Sequence, residues 1–328
     1  MSASAELSGE ARASGSRVPD FFIIGHAKSG TTALYEMLRR HPQIFMSDVK
    51  EPRFFAPDLR TGSARLDGGK APLTLEDYLA LFTNAASGQR VGEASPQYIR
   101  SREAARLIAD IQPAARIIAV LREPASFLRS MHLQMLQAYI ETEKDLGRAL
   151  AREPERRHAR EVEHLPVPQG LMYAEHVHYT EQLRRYHEVF PPEQVLVLIY
   201  DDFRADNEGT VRRVLRFLEV DDSDPIEVKE ANPTVSVRSP RMYELVRSVY
   251  MGRGRSGRVV KAGIKTLTPR RLRHRALAAQ VRMQWARPAA PDAQLMHELR
   301  ARFKGEVVAL SEYLNRDLVT LWGYDSIV

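Results

Sequence analysis

Phe21-Phe22-Ile23-Ile24-Gly25-His26-Ala27-Lys28-Ser29-Gly30-Thr31-Thr32 carries the pattern that decides the fold. Four apolar residues in a row, ended by glycine, read as a short strand buried on both faces. From Thr31 the spacing turns helical: Ala33, Leu34, Met37 and Leu38 share one face, and His41-Pro42 ends the run. A strand, a short glycine-containing loop and a helix, in that order, make an anion-binding turn. The glycines permit tight left-handed backbone. The loop amides then turn inward, and the helix N-terminus adds positive potential, so an oxyanion such as phosphate fits there. Thr31 and Thr32 add hydroxyl donors in the first turn. The loop departs from the Walker A pattern, which has lysine directly after its second glycine. Thr31 holds that place, and Lys28 lies inside the loop.

Outward from this unit the same grammar repeats. Ile117-Ile118-Ala119-Val120-Leu121 and Val195-Leu196-Val197-Leu198-Ile199-Tyr200 are further all-apolar strands, and Ile44–Met46 and Val91–Ala94 are shorter ones. Helical patterns separate them over 74–82, 103–111, from Pro124 onward, over 173–190 and over 207–218. Unalternating strands between amphipathic helices predict an α/β fold: a P-loop-like doubly wound parallel sheet with helices on both faces and a helical C-terminal region. Residues 1–18 read as a disordered tail and 19–328 as a single domain, with an α/β core over 19–220 and a mostly helical extension over 240–328. Ser236–Pro240 is the linker candidate. Residues 57–72 read as an excursion and 141–168 as a charged helical insertion, with acceptor loops expected over 57–72 and 141–170. The stripe Leu299, Phe303, Val307, Leu310 and Leu314 reads as helix core.

A second constellation follows the middle strand: Arg122-Glu123-Pro124-Ala125-Ser126-Phe127-Leu128-Arg129-Ser130. Arg122 stands at the carboxyl end of a parallel strand, where ligands of α/β folds bind. Ser130 lies about two helical turns on and can face the same crevice. A guanidinium with a hydroxyl suits a phosphate. Equally, Arg122 suits a strand-end salt bridge and Ser130 a small packing role. Leu121 is followed by Arg122 and not by a metal-holding Asp, so the magnesium apparatus of a Walker B strand is absent from the pattern.

Taken together, the two loops resemble those of the sulfotransferases that use 3′-phosphoadenylyl sulfate (PAPS), in the heparan-sulfate-type and bacterial branch. Lys28-Ser29-Gly30-Thr31-Thr32 resembles the family's 5′-phosphosulfate loop, and Arg122 with Ser130 its 3′-phosphate site. Lys50-Glu51-Pro52-Arg53-Phe54-Phe55 is similar to the segment that carries the catalytic glutamate, and Gly92-Glu93-Ala94-Ser95-Pro96-Gln97-Tyr98 to the segment after it. The resemblance covers about 19–220 and resumes weakly at Asn315–Leu318 and Trp322–Tyr324. It implies sulfonate transfer from PAPS, leaving PAP, to a hydroxyl or amine of a carbohydrate, lipid or small-molecule acceptor, without a metal. Lys28 would stabilise the leaving phosphate, Ser29, Gly30, Thr31 and Thr32 would hold the 5′-phosphate, and Glu51 would act as base. A late basic loop of the family falls on Val237-Arg238-Ser239-Pro240, which assigns Arg238 to the nucleotide. Without the resemblance, Glu51 reads as a solvated helix-start glutamate before Pro52. His132 is the second candidate base, and otherwise reads as a helix-surface histidine. Tyr173 reads as a core residue near the cleft. One departure stands out: Ala94 occupies a place where that branch often has a second lysine. An acceptor-side cation is then missing, which argues against heparan sulfate itself, unless Arg53 compensates.

The 328 residues contain no cysteine, which excludes disulfides, thiolate catalysis, zinc–cysteine sites and iron–sulfur clusters. A hydrophobic content of 44% and a charged content of 27% are ordinary for a globular chain. The net charge of +6 is regional: residues 241–287 hold thirteen Lys/Arg against one acid, Glu244, so the rest of the chain is acidic. That basic stretch, interleaved with apolar residues, suits a solvated face, a gate for an anionic acceptor, or contact with a membrane surface or polyanion. It lacks a nucleic-acid reading motif, so no dedicated nucleic-acid partner is expected. With no apolar run of membrane-spanning length and no signal-like h-region in the first 18 residues, a cytoplasmic enzyme is expected. His176 and His178, two apart, do not form a metal pair on a helix, and His158 and His164 fall in a charged exposed stretch. Two rival functions remain: a P-loop kinase or NTPase, disfavoured by the lysine position and the missing Walker B acid, and a non-catalytic polyanion- or membrane-binding module.

Overall fold

The computed structural model describes residues 17–59, 72–158, 168–227, 236–237, 285–286 and 288–327. In chain order it holds β1 (Phe21–Gly25), α1 (Thr31–Leu38), β2 (Ile44–Met46), α2 (Leu75–Leu79), β3 (Arg90–Ala94), α3 (Ala104–Ile111), β4 (Arg116–Leu121) and α4 (Pro124–Gln137). There follow α5 (Leu146–Ala151), α6 (Glu153–His158), α7 (Tyr179–His187), β5 (Val195–Ile199), α8 (Tyr200–Ala205), α9 (Asn207–Phe217), α10 (Ala293–Tyr313) and α11 (Leu318–Leu321). Two two-residue strands, Ser236–Val237 and Trp285–Ala286, pair antiparallel apart from the main sheet.

The five longer strands form one sheet in the order β2-β3-β1-β4-β5, and every pairing is parallel. β1 is central because the chain adds β2 and β3 on one side of it and then crosses to add β4 and β5 on the other. Such a reversal opens a crevice at the carboxyl ends of the strands. The register sets Gly25 opposite Val120 and Ile23 opposite Ala94, so the last residues of β1, β3 and β4 surround one edge.

Strand alternation divides the core in two. Phe22 and Ile24 face a layer with Ile117, Ala119 and Leu121, covered by α2, α3, α4, α7 and α10. Phe21 and Ile23 face the opposite layer with Ile118, Val120, Leu196 and Leu198, covered by α1, α8 and α9. Burial on both faces explains why these strands read as unbroken apolar runs. The doubly wound α/β architecture expected from the sequence is therefore present, as is a helical C-terminal segment.

Two boundaries differ from the sequence reading. The last strand stops at Ile199, and Tyr200 opens α8. The helix expected over 173–190 is broken: Ala174–His176 is a 3-10 turn, and α7 starts at Tyr179. Side chains replace the missing helical bonds. The Gln182 amide donates to the carbonyls of Glu175 and His176 at 3.4 and 3.2 Å, and the Thr180 N–H turns to Glu306 Oε1 at 2.7 Å.

The insertion after α4 is fastened by a buried carboxylate. Glu141 accepts both bonds of Arg156 Nη2 at 2.8 Å, the Tyr173 hydroxyl at 3.0 Å, and the backbone N–H groups of Thr142 and Glu143. The C-terminal segment is clasped to the ends of β4 and β5. Tyr324 OH donates to Glu123 Oε1 at 2.6 Å, Trp322 Nε1 to Asp201 at 2.9 Å, and Arg316 holds Asp202 with two bonds of 2.6 and 2.7 Å. No helix among the described residues is long and apolar enough to cross a membrane. The tail over 1–16, Arg238 and nearly all of the basic stretch 241–287 lie outside the described residues.

Candidate active site

The loop between β1 and α1 is shaped by two left-handed residues, Lys28 at φ 64° and Gly30 at φ 88°. Gly30 is also the N-cap of α1, and no side chain caps the first turn. A Cβ on Gly25 would lie 2.3 Å from the Val120 carbonyl oxygen, so only glycine lets β1 enter the loop this close to β4. Ser29 is fully buried, and its hydroxyl has no hydrogen-bond partner. Unpartnered buried hydroxyls are unusual, and a ligand oxygen at this loop would satisfy this one.

Arg122, at the end of β4, reaches across to this loop. Its Nη1 donates to the Lys28 carbonyl at 2.7 Å, and its guanidinium lies 4.6 Å above the Tyr200 ring. The Tyr179 hydroxyl fixes the Arg122 carbonyl at 3.0 Å. Lys28 titrates below the ordinary lysine value, first because burial strips water from it and then because Arg122 repels its charge. Arg129, one helical turn into α4, is lowered for the same two reasons. Lys28 and Arg122 thus crowd one crevice edge, where a bound anion would relieve their repulsion, while the Arg129 guanidinium donates to the Ala289 carbonyl. The loop and Arg122 are thus joined at one edge, whereas Ser130 lies buried on α4.

Glu51 occupies a separate segment held against the end of β3. Its N–H donates to Ala94 O at 3.1 Å, and Ala94 pairs with Ile23 of β1. The carboxylate accepts Lys50 Nζ at 2.8 Å and Arg53 Nη2 at 2.7 Å. Burial pushes the Glu51 carboxyl up, but these two charges outweigh it and hold the group below the usual carboxylate range. Glu51 therefore starts no helix, and its side chain is partly buried and ion-paired where its local sequence suggests a solvated glutamate. His132 also departs from expectation: it is buried, not on the helix surface, and Nε2 bonds the Glu143 carbonyl at 2.8 Å.

A model of the Sulfotransferase family matches residues 19–224. The chain belongs to that family. Carbohydrate sulfotransferase 15 from Mus musculus is 33% identical over 152 residues, covering 35% of this chain and 27% of the mouse protein. Heparan sulfate glucosamine 3-O-sulfotransferase 6 from Homo sapiens is 33% identical over 120 residues, covering 37% of this chain and 31% of the human protein. The aligned part thus spans less than a third of each of these relatives. The crystal structure of a sulfotransferase from Alicyclobacillus acidocaldarius superposes with a TM-score of 0.68 at 23% identity, covering 93% of this chain and 99% of that one, and shares the fold.

Three features of this sulfotransferase site escape sequence reading. His26, next to the loop, is buried against Tyr179 at 4.2 Å, with Nε2 on Gln182 Oε1 at 3.0 Å. Burial lowers it to about 3, so it is a neutral packing group behind the loop. Tyr200 supplies the face on which Arg122 rests, where the sequence suggests only the last residue of a strand. Glu93 is a buried carboxyl on β3, pushed up to about 7 by burial. A lone glutamate inside an otherwise apolar strand is the signal that points to it.

Proposed function

We propose that this sulfotransferase moves a sulfonate group from PAPS to a hydroxyl or amine of a carbohydrate acceptor. The supporting observation is the cation pair at the strand ends, where Arg122 bonds the Lys28 carbonyl and burial, then the Arg122 charge, depresses Lys28 in a loop with a buried unpartnered hydroxyl. The carbohydrate class rests on the names of the curated relatives. Lys28 and the amides of Ser29, Gly30, Thr31 and Thr32 hold the 5′-phosphate. Arg122 and Ser130 hold the 3′-phosphate, with Arg238 assigned to the same nucleotide.

In the reaction the acceptor oxygen or nitrogen bonds to sulfur while the sulfur–oxygen bond to the 5′-phosphate breaks. The electron pair stays on that phosphate oxygen, where Lys28 neutralises it. The acceptor proton passes to Glu51, whose two ion pairs keep it ionised and open to a proton. A carboxylate held this low is a weak base, so acceptor binding that displaces Lys50 or Arg53 strengthens it.

Thermal unfolding with 3′,5′-ADP tests the donor half of the reading. We expect stabilisation without magnesium, about 2.7 kcal/mol at a ligand concentration a hundred times Kd. Stabilisation by ATP with magnesium alone would favour a kinase or NTPase instead. Labelled PAPS offered with glycan, lipid and phenolic acceptors tests the other half, and transfer confined to non-carbohydrates would overturn the acceptor class.

A further inference from the structure

The segment that carries Glu51 adopts a costly conformation. Glu51 and Arg53, neither of them glycine, sit at φ 59° and 56°. Such backbone persists only where its surroundings hold it. Three N–H groups do the holding: Glu51 on Ala94 O at 3.1 Å, Arg53 on Ser95 Oγ at 3.1 Å, and Phe55 on the Tyr98 hydroxyl at 3.2 Å. The rings of Phe54 and Phe55 also pack on Tyr78, at 4.7 and 5.1 Å between centroids.

Both tyrosines on which the segment rests end on one atom. Tyr78 OH donates to Glu93 Oε2 at 3.0 Å and Tyr98 OH at 2.8 Å. This sets the direction of the relay. Because the Tyr98 proton points to Glu93, the hydroxyl lone pair is left for the Phe55 N–H. The Ser95 hydroxyl, which takes the Arg53 N–H, also interacts with the Glu93 carboxyl.

We propose that Glu93 is a positioning residue for the sulfotransfer reaction: it orients Tyr78 and Tyr98, which hold the Glu51 segment in its strained form. The proposal rests on the assignment of Glu51 as base, and its test separates the two.

Glu93→Ala frees both hydroxyls, whereas Glu93→Gln keeps an amide oxygen in the place of Oε2. With PAPS and the best carbohydrate acceptor of the panel, we expect Glu93→Ala to lower kcat about tenfold or more with KM for PAPS within about twofold, and Glu93→Gln to restore kcat to within about threefold of the parent protein. Tyr98→Phe, which removes the acceptor for the Phe55 N–H together with one of the two donors to Glu93, reproduces part of the loss and serves if Glu93→Ala does not fold. Adding Glu93→Ala to Glu51→Gln should cost nothing further. Full additivity, or an effect confined to KM, overturns the proposal while leaving Glu51 as base. Full turnover in Glu51→Gln overturns the base assignment and the proposal with it. If the parent protein transfers no sulfonate, the functional reading fails, and amide exchange at Phe55 decides alone: faster in Glu93→Ala than in Glu93→Gln supports the relay, and equal rates refute it.

Discussion

Lys28 is the side chain on which the proposed chemistry turns, and its surroundings say what its loss costs. It lies partly buried in a loop whose shape comes from backbone angles and from Gly25 and Gly30. Lys28→Ala should therefore leave the unfolding midpoint within a few degrees of the parent while lowering turnover about a hundredfold or more. Normal turnover would refute its role at the leaving oxygen. Lys28 was legible in the sequence because a strand, a glycine loop and a helix are contiguous. Glu51 was legible only through the family segment, since its ion pairs and positive φ are fixed by a loop that no local pattern specifies. Glu93 could be seen as a glutamate in a strand, but its partners Tyr78 and Tyr98 arrive from separate elements.

β1 is legible in the sequence because burial on both faces leaves only apolar residues, and β4 and β5 for the same reason. The break before α7 was not legible, because it depends on Gln182 and on Glu306 from α10 reaching backbone groups that a helix would have used. The contact between β1 and β4 yields a sharp expectation. At Gly25 an added methyl meets Val120 backbone, which cannot turn aside as a side chain can, and φ is 132°. Gly25→Ala should destabilise by more than about 3 kcal/mol or abolish soluble expression, read as the urea midpoint. A small loss would mean that β1 and β4 can separate at their ends.

The molecule as a whole joins a sheet built from its first two thirds to a C-terminal segment that the sequence shows only as helical periodicity. That periodicity fixes which face of α10 is buried, but not where it docks. Its apolar face packs on the core, and polar bonds between distant residues, such as Arg316 to Asp202 and Trp322 to Asp201, fasten the segment that follows it. The Tyr324–Glu123 bond has a further consequence. Glu123 follows Arg122 directly and also caps α4, accepting the N–H groups of Ala125 and Ser126 at 3.0 and 2.6 Å. On the proposed donor site, a nucleotide that orders Arg122 is expected to order the last turn of the chain, and linkage makes that effect mutual. The C-terminal residues would then report donor occupancy, some two hundred positions away along the polypeptide. Saturating 3′,5′-ADP should slow amide exchange across 318–327 severalfold, and Tyr324→Phe should weaken nucleotide binding by the same free energy that it removes from that protection. Unchanged exchange on saturation would show that the two ends of this bond move independently.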